Sequence, residues 1–213
     1  GVVAPSQEIY DEVKRTVAEK KVVVSMGSVA ASGGYYIASP ATMIYANPGT
    51  ITGSIGVIMK FSNIEGLLDK VGLKANTLKS GPFKDIGSAT RPMTVADQAV
   101  LQGVIDSIQS QFIRAVASGR KLPEAKVREL ADGRIFSGEQ AVKLKLVDKL
   151  GGLQDAIDKA AGLADIKGEP RIIYPPKKKR HFMDLLVEEA MEDLVAAVSR
   201  QQGMSARYQL EGR

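Results

Sequence analysis

Hydrophobic positions in the first 60 residues follow two different spacings. Ser6 can cap a helix over residues 7–20, in which apolar side chains recur every three to four positions. The apolar run Val22 to Val24 is typical of a short buried strand, and Tyr35 to Ala38 predicts a buried helix. This alternation of helix and strand predicts an α/β fold.

Strands and helices continue to alternate up to about residue 78, and from Thr94 onward most of the predicted elements are helices. Further strands are predicted at 42–46, 57–59, 73–78 and 171–174, and further helices at 62–71, 94–116, 123–131 and 153–161. The long helix has Thr94 as its cap and carries one apolar stripe. The stripe consists of Val95, Leu101, Val104, Ile105, Ile108, Phe112 and Val116.

Three segments are predicted for the domain organisation. Residues 1–176 form the main domain, and 177–199 contain a basic run followed by an amphipathic helix. Residues 200–213 are polar and aperiodic, which predicts a mobile tail. No run of about 18 apolar residues occurs, so no segment of this sequence is predicted to span a bilayer.

Composition removes several classes of chemistry. Of the 213 residues, 44% are hydrophobic, which is enough for a proper core. There is no Cys, so thiolate nucleophiles and disulfides are excluded in this chain. The single His181 lies in a charged run, which argues against a Ser-His-Asp triad and excludes His-rich metal sites. No calcium-loop motif is present, and we predict neither a metal nor a cofactor.

Charge and aromatic content bear on partners. Lys and Arg total 29 against 24 Asp and Glu, and four of the basic residues lie in the run 177–180. The remainder of the chain is nearly neutral. With no Trp and 5% aromatic residues, there is little material for stacking bases, so nucleic acid is not predicted as a partner.

One serine stands at a turn where its hydroxyl group can react. Ser32 lies between small residues and the pair Gly33-Gly34, just before the helix predicted at Tyr35. Backbone N–H groups at a helix start can stabilise an oxyanion. A Ser/Gly turn that only permits tight packing has the same pattern, so both interpretations stay open on this stretch alone.

A lysine and a second serine offer the remaining chemistry. Lys84 lies between Phe83 and Asp85-Ile86. A free lysine titrates near pH ~10.4, but burial against apolar groups can leave a neutral amine that takes a serine proton. Ser54 could orient that amine. The simpler alternatives are a surface lysine and a turn serine.

Three motifs taken together resemble a known family. The stretches A-S-G-G-Y-Y at 31–36, T-G-S-I-G-V at 52–57 and S-G-P-F-K-D at 80–85 occur in the order found in the signal peptide peptidase A, or protease IV, family of bacterial membrane-associated serine proteases. The likeness continues at lower specificity through 134–138 and 147–152 to about residue 161. The C-terminal residues beyond it are not diagnostic.

The resemblance implies a role for each motif residue. Ser32 would be the nucleophile and Lys84 the general base that later returns the proton. Ser54 would hold the lysine amine, and the N–H group of Gly33 would belong to the oxyanion hole. This is a Ser/Lys variant of the catalytic triad.

The resemblance also implies fold, substrate and location. It predicts a Clp protease/crotonase-like spiral of β-β-α units with C-terminal helices, assembled into a homo-oligomer that encloses the active sites. Residues 1–176 would be the protease domain. The implied substrates are remnant signal peptides and other hydrophobic peptides at the bacterial cell membrane, with the catalytic domain on the extracytoplasmic side.

One departure concerns the start of the chain. Family members carry a Gly-rich segment before the first matched helix, which supplies the second oxyanion N–H group, and only Gly1-Val2-Val3 corresponds to it here. The sequence begins without Met, so we expect a fragment whose first strands and membrane anchor lie upstream. Whether this fragment is active alone stays open.

Two other functions remain as alternatives. A crotonase-like acyl-CoA enzyme also uses backbone N–H groups for an oxyanion, but it explains neither Lys84 nor Ser54. A non-catalytic oligomeric module could bind an anionic membrane surface or nucleic acid through residues 177–181, which could equally be a solvated linker.

The tail at 200–213 could also reach an active site and be trimmed.

Overall fold

The computed structural model describes residues 1–175 of the chain, and residues 1–170 form one compact unit. Its helices are α1 (Val3–Glu19), α2 (Gly33–Ala38), α3 (Glu65–Lys70), α4 (Val95–Arg120), α5 (Glu124–Leu130), α6 (Gly138–Lys143) and α7 (Leu153–Leu163). Its strands are β1 (Val23–Met26), β2 (Val29–Ala31), β3 (Met43–Ala46), β4 (Ile51–Gly53), β5 (Ile135–Ser137) and β6 (Lys149–Leu150). The predicted α/β class is confirmed.

The strands form two small sheets. The first has the order β1-β3-β6 and is parallel, with Val23 opposite Met43 and Tyr45 opposite Lys149. The second has the order β2-β4-β5, in which β2 and β4 are parallel and β5 is antiparallel to β4. Successive strands β1 and β2 therefore enter different sheets, and so do β3 and β4.

Buried side chains from both sheets and five helices make one hydrophobic core. Its fully enclosed members include Tyr35, Ile44 and Ile55 from the first third of the chain, and Val116 and Leu146 from later elements. The aromatic rings of Tyr10, Tyr36 and Phe112 lie in a row across α1, α2 and α4, with centroids 5.1 Å and 4.8 Å apart. This packing holds α2 in place.

The buried apolar side chains of helix α4 all lie in its second half. Thr94 and Asp97 form a capping box at its N-terminus, as the sequence predicts for Thr94. The second half packs into the core, where Ile113 and Val116 are buried. In the first half the predicted apolar stripe is partly open to solvent: Val95 is 83% exposed and Val104 43% exposed, whereas Leu101 and Ile105 are half-buried.

Several predicted elements differ from those observed. Helix α1 begins at Val3, and Ser6 lies inside it because its hydroxyl group donates to the carbonyl of Val2, four residues earlier, instead of capping residues 7–20. The apolar stretches 57–59, 73–78 and 171–174 are not strands. A strand needs a hydrogen-bonded neighbour, and hydrophobicity alone does not supply one.

The C-terminal predictions cannot be compared with the structure. The helix and basic run at 177–199 and the tail at 200–213 lie outside the described residues. The predicted end of the main domain at 176 stays a prediction. Among residues 1–175, no helix combines the length and the apolar character needed to cross a membrane.

Candidate active site

Ser32 stands at a sharp turn between strand β2 and helix α2. Its φ of 53° and ψ of −119° lie in a region that residues other than glycine rarely adopt. Such a conformation costs roughly 1–3 kcal/mol and persists only where the surrounding structure enforces it. A strained strand-to-helix turn is the geometry that presents a nucleophilic serine in many hydrolases.

Ser54 follows the neighbouring strand at the corresponding position. Strands β2 and β4 are parallel, with Ala31 opposite Gly53, so Ser32 and Ser54 are the next residues of adjacent strands. The N–H group of Ser32 donates to the carbonyl of Gly53 at 2.8 Å, and that of Ser54 donates to the carbonyl of Arg134 at 2.8 Å. Ser54 also has a positive φ, of 50°. The two serines are thus held side by side by backbone hydrogen bonds.

Gly33 must be a glycine because α1 passes very close to it. A Cβ atom at Gly33 would lie 2.5 Å from the Oγ of Ser6 and 3.2 Å from the Cα of Gly1. Its N–H group is one of the first in α2, where backbone donors have no partner within the helix. The start of the chain therefore packs directly beside the predicted oxyanion donor.

A cavity of about 330 Å³ opens beside the two serines. Both side chains are half-buried. The cavity is lined by residues from the N-terminal end of α1, the two serine turns, α2, α4 and the segment before β5: Gly1, Val3, Ser6, Ser32, Gly33, Tyr36, Ser54, Gly56, Val57, Ile58, Ile108, Phe112 and Gly133. Most of its side-chain surface is apolar. An extended peptide next to Ser32 could place one apolar side chain here.

The two tyrosines that follow the glycine pair anchor α2 in the core. The hydroxyl group of Tyr35 donates to the carbonyl of Leu146 at 2.9 Å, and the side chain is completely buried. Burial raises the pKa of Tyr35 well above its ordinary value, so it stays protonated as a donor. Tyr36 packs between Tyr10 and Phe112, and burial raises its pKa too. The contacts of Tyr35 are structural, whereas Tyr36 also lines the cavity beside Ser32.

Lys84 lies apart from this cavity in the described chain. It is exposed in a turn over residues 82–87, and none of the cavity-lining residues named above comes from that turn. The structure thus brings Ser32, Gly33 and Ser54 together and leaves Lys84 outside.

Hydrogen bonds tie the lysine turn to the N-terminal end of α4. Arg91 donates to both carboxylate oxygens of Asp85 at 2.9 Å, and to Asp97 in the first turn of α4 at 2.5 Å. The cavity residues Ile108 and Phe112 lie 11 and 15 positions beyond Asp97, which is about 16 Å and 22 Å along the helix. The anchor of the turn and the Ser32 cavity are therefore well separated.

Sequence reasoning missed most of the cavity wall. Ile108 and Phe112 were predicted only as members of the α4 stripe, although their spacing of four places both on one face. Gly56 and Gly133 approach each other across the cavity rim, which only the three-dimensional pairing of 54–56 with 133–134 reveals. Within residues 1–175, no group of three His, Asp or Glu side chains could hold a metal ion.

Comparison with known proteins settles the family. The model of peptidase family S49 matches residues 14–167, a span that contains both serine turns and Lys84. The chain belongs to peptidase family S49. The resemblance seen in the three motifs is thereby confirmed.

Individual S49 relatives cover the same region. A protein of Synechocystis sp. that is named as a protease is 51% identical over 180 residues, which are 83% of this chain and 65% of that protein. Protease 4 of Salmonella typhi is 41% identical over 150 residues, or 70% of this chain and 24% of that protein. The chain thus spans less than two thirds of the length of either relative.

A solved structure agrees on the fold of this S49 chain. A mutant of the 1510-N membrane-bound stomatin-specific protease superposes with a TM-score of 0.50 at 15% identity, covering 83% of this chain and 78% of that one. At this identity the likeness concerns the fold alone. The predicted Clp protease/crotonase-like α/β fold is confirmed.

Proposed function

We propose that the chain is the catalytic part of a serine endopeptidase with a Ser/Lys dyad, which degrades remnant signal peptides and other hydrophobic peptides at a membrane. The observation that carries the proposal is the strained turn at Ser32, which opens into an apolar cavity with Ser54 alongside. Membership of family S49 supports the peptidase chemistry.

In the proposed acylation step, the neutral amine of Lys84 takes the proton of the Ser32 hydroxyl group while Oγ bonds to the peptide carbonyl carbon. The carbonyl oxygen becomes an oxyanion that accepts a hydrogen bond from the N–H group of Gly33. Because Gly1 packs against Gly33, a second backbone donor from the start of the chain fits the same place.

Acylation is complete when the C–N bond of the tetrahedral intermediate breaks. The ammonium group of Lys84 gives its proton to the leaving amine, and Ser32 keeps the acyl group as an ester. Lys84 then takes a proton from water, whose oxygen bonds to the ester carbon. The ester C–O bond breaks, Lys84 returns the proton to the Oγ of Ser32, and the acid is released. Ser54 accepts or donates a hydrogen bond that orients the lysine amine in each step.

Apolar substrates fit the cavity beside Ser32. Ile108, Phe112 and Val57 offer contacts to an aliphatic side chain, and the volume of about 330 Å³ accommodates one residue of leucine size. The hydrophobic core of a signal peptide supplies such side chains. A location at the bacterial cell membrane, with the catalytic domain on the extracytoplasmic side, is part of the same proposal.

A second copy of the chain is the partner that would complete the dyad. Lys84 is exposed, and its turn is tied to the N-terminal end of α4, away from the cavity of its own chain. The apolar residues Val95, Val104 and Leu78 on this side are also exposed, as expected for a face covered by another copy. We therefore propose a homo-oligomer in which Lys84 of one copy serves Ser32 of the next.

The direct test is cleavage of an unstructured peptide rich in Leu and Ala, followed by mass spectrometry between pH 6 and pH 10. We expect the unchanged chain to cut, and Ser32→Ala and Lys84→Ala to lose at least about 10⁴-fold in kcat. The rate should rise with pH because a protonated amine cannot act as a base. Cleavage that persists in Ser32→Ala would contradict the proposal.

If the unchanged chain is inactive, the same peptide is tested on a longer chain that includes the upstream residues. Inactivity of that longer protein would also overturn the peptidase proposal. Ser118→Ala is a matched control, because Ser118 is an exposed serine of α4 that lies outside the cavity beside Ser32.

A further inference from the structure

Arg91 joins two carboxylates with a single guanidinium group. Its Nε and Nη2 atoms donate to the two carboxylate oxygens of Asp85, both at 2.9 Å, in a two-pronged arrangement. Its Nη1 atom donates to Asp97 at 2.5 Å. The Arg91 side chain is 24% exposed and that of Asp97 only 2% exposed, so these contacts are shielded from water. A shielded bidentate pair of this kind fixes the relative orientation of the two side chains and also contributes interaction energy.

One side of this cluster is the turn that carries Lys84. Asp85 is the next residue after Lys84, and the N–H group of Lys84 donates to the carbonyl of Gly81 at 3.2 Å. Lys79 binds Asp85 at 2.8 Å and the carbonyl of Pro82 at 3.1 Å, which closes the other side of the turn. The backbone on both sides of Lys84 is therefore held through Asp85.

The other side of the cluster is the rigid start of α4. The carboxylate of Asp97 accepts the N–H group of Thr94 at 3.0 Å, and the Thr94 hydroxyl group accepts the N–H group of Asp97 at 3.0 Å. Arg91 also donates to the carbonyl of Pro92 at 3.0 Å. A capped helix start cannot shift without breaking these bonds, so it is a fixed support for the turn.

We propose that Arg91 is a positioning residue for Lys84: by binding Asp85 and Asp97 together, it fixes the lysine-bearing turn on the end of α4 in the place from which the amine reaches a serine. The inference rests on the proposed function, since it assigns Lys84 the role of base. Arg91 itself touches no substrate in it.

A lysine at position 91 could not take over this role. The ammonium group is a single point charge, whereas the guanidinium group holds Asp85 with two parallel bonds and still reaches Asp97. Misplacement of a catalytic group by about 1 Å costs on the order of 100-fold in rate. We therefore expect Arg91→Lys and Arg91→Gln to lose about 10- to 100-fold in kcat with KM little changed.

The experiment combines steady-state kinetics with amide hydrogen exchange of peptides covering residues 79–91. In both Arg91 variants we expect faster exchange across the turn together with the loss of kcat. Arg120→Lys is the matched control, because Arg120 forms a shielded pair with Asp148 at the opposite end of the same helix. It should lower the Tm and leave kcat and the exchange of 79–91 unchanged.

A double variant separates positioning from a simple effect of charge. With Arg91→Gln and Asp85→Asn combined, positioning predicts a kcat as low as in either single variant, because both remove the same link. Recovery of kcat in the double variant would overturn the proposal, since Arg91 would then only keep the Asp85 charge away from Lys84. Unchanged exchange, or faster exchange with full kcat, would overturn it as well.

Peptide cleavage by the unchanged protein and by Arg91→Gln separates this inference from the proposed function. If the unchanged protein proves not to be a peptidase, the proposed function falls, and the role of Arg91 as a catalytic positioning residue falls with it. If the peptide is cut and Arg91→Gln cuts equally fast, only the positioning role is overturned.

Discussion

The backbone N–H group of Ser32 donates a 2.8 Å hydrogen bond to the carbonyl of Gly53. This bond extends the parallel pairing of β2 and β4 by one residue beyond both strands. It places Ser32 and Ser54 next to each other at the point where the backbone turns away from both strands. The alignment of two small strands therefore sets the distance between the proposed nucleophile and the proposed lysine-orienting residue.

Substitution of Gly33 should disturb this arrangement. In Gly33→Ala the new Cβ atom would lie 2.5 Å from the Oγ of Ser6 and 3.2 Å from the Cα of Gly1, so the Ser6 side chain or the start of α1 must shift. We expect the free energy of unfolding to fall by about 1–3 kcal/mol, as in other overpacked sites, and kcat to fall with it. Urea unfolding and peptide cleavage measure the two effects.

A second substitution tests whether the close contact with Ser6 causes this loss of stability. Ser6→Ala removes the clashing oxygen and should restore part of the stability of Gly33→Ala, although the single Ser6→Ala loses its bond to Val2 and about 1 kcal/mol. If the double variant is no more stable than Gly33→Ala, the close contact with Ser6 is not what requires a glycine here.

The cavity should determine which side chain precedes the cut bond. Ile108→Phe places a larger side chain in the cavity of about 330 Å³. We expect kcat/KM to fall about 10- to 100-fold for peptides with Leu before the cut bond, and much less for peptides with Ala there. A set of otherwise identical peptides measures this ratio.

The exposed position Ile9 on α1 provides the control for Ile108→Phe. Ile9 is 48% exposed and does not line the cavity, so Ile9→Phe should leave the Leu/Ala preference unchanged. An equal loss for both kinds of peptide in Ile108→Phe would mean that the cavity does not hold the side chain that precedes the cut.

The parts of the site that sequence could predict are those set by local chemistry. Ser32 with its two glycines needs an unusual turn, and Thr94 followed by Asp97 makes a capping box, so both could be located from residue types. Short strands were harder. Strands β2, β4 and β5 have three residues each and include Ala31 and Gly53, so they lack the apolar run or the alternation that indicates a strand.

Some hydrophobic runs were predicted as strands and are not strands. Val57 to Met59 and Leu73 to Leu78 have strand-like composition, yet they pair with no strand among the described residues, and Leu78 is fully exposed. The residues of such a segment do not show which other part of the protein covers it. The same holds for Lys84, for which the sequence left a buried base and a surface lysine both open, and which the structure shows as exposed.

Acid should weaken the link between the lysine turn and α4. Hydrogen bonds from Arg91 hold the pKa of Asp85 and that of Asp97 well below their ordinary values, with Lys79 adding to the first and Thr94 to the second. A depressed pKa in the folded state means stability that is present above the unfolded value near ~3.9 and is lost as the pH falls below it. We expect the Tm to drop between about pH 5 and pH 2.

The Arg91→Gln variant should show a smaller drop in Tm over the same range, because the two carboxylates then titrate closer to their ordinary values. Thermal unfolding followed by circular dichroism measures both proteins. Arg15→Gln serves as the control, since Arg15 and Glu12 form an exposed pair on α1. Parallel Tm curves for Arg91→Gln and the unchanged protein would contradict the assignment of this acid sensitivity to Arg91.

Mixing two inactive variants tests whether the dyad is shared between copies. Ser32→Ala retains Lys84, and Lys84→Ala retains Ser32, so an assembly that contains both variants has some sites with both groups intact. If each site takes its serine and its lysine from different copies, equal mixing gives about a quarter of the activity of the unchanged protein, because each group is intact half of the time. The variants are unfolded, mixed and refolded together before the peptide is added.

Restored activity in the mixture would follow only from a shared site, because no single chain in it carries both groups. Size-exclusion chromatography of the mixture checks that assembly has taken place. If the mixture assembles and stays inactive while the refolded unchanged protein is active, each chain must bring its own Lys84 to its own Ser32. The lysine turn would then have to leave the place beside α4 where Arg91 holds it, and the exposed face of α4 would serve some contact other than the dyad.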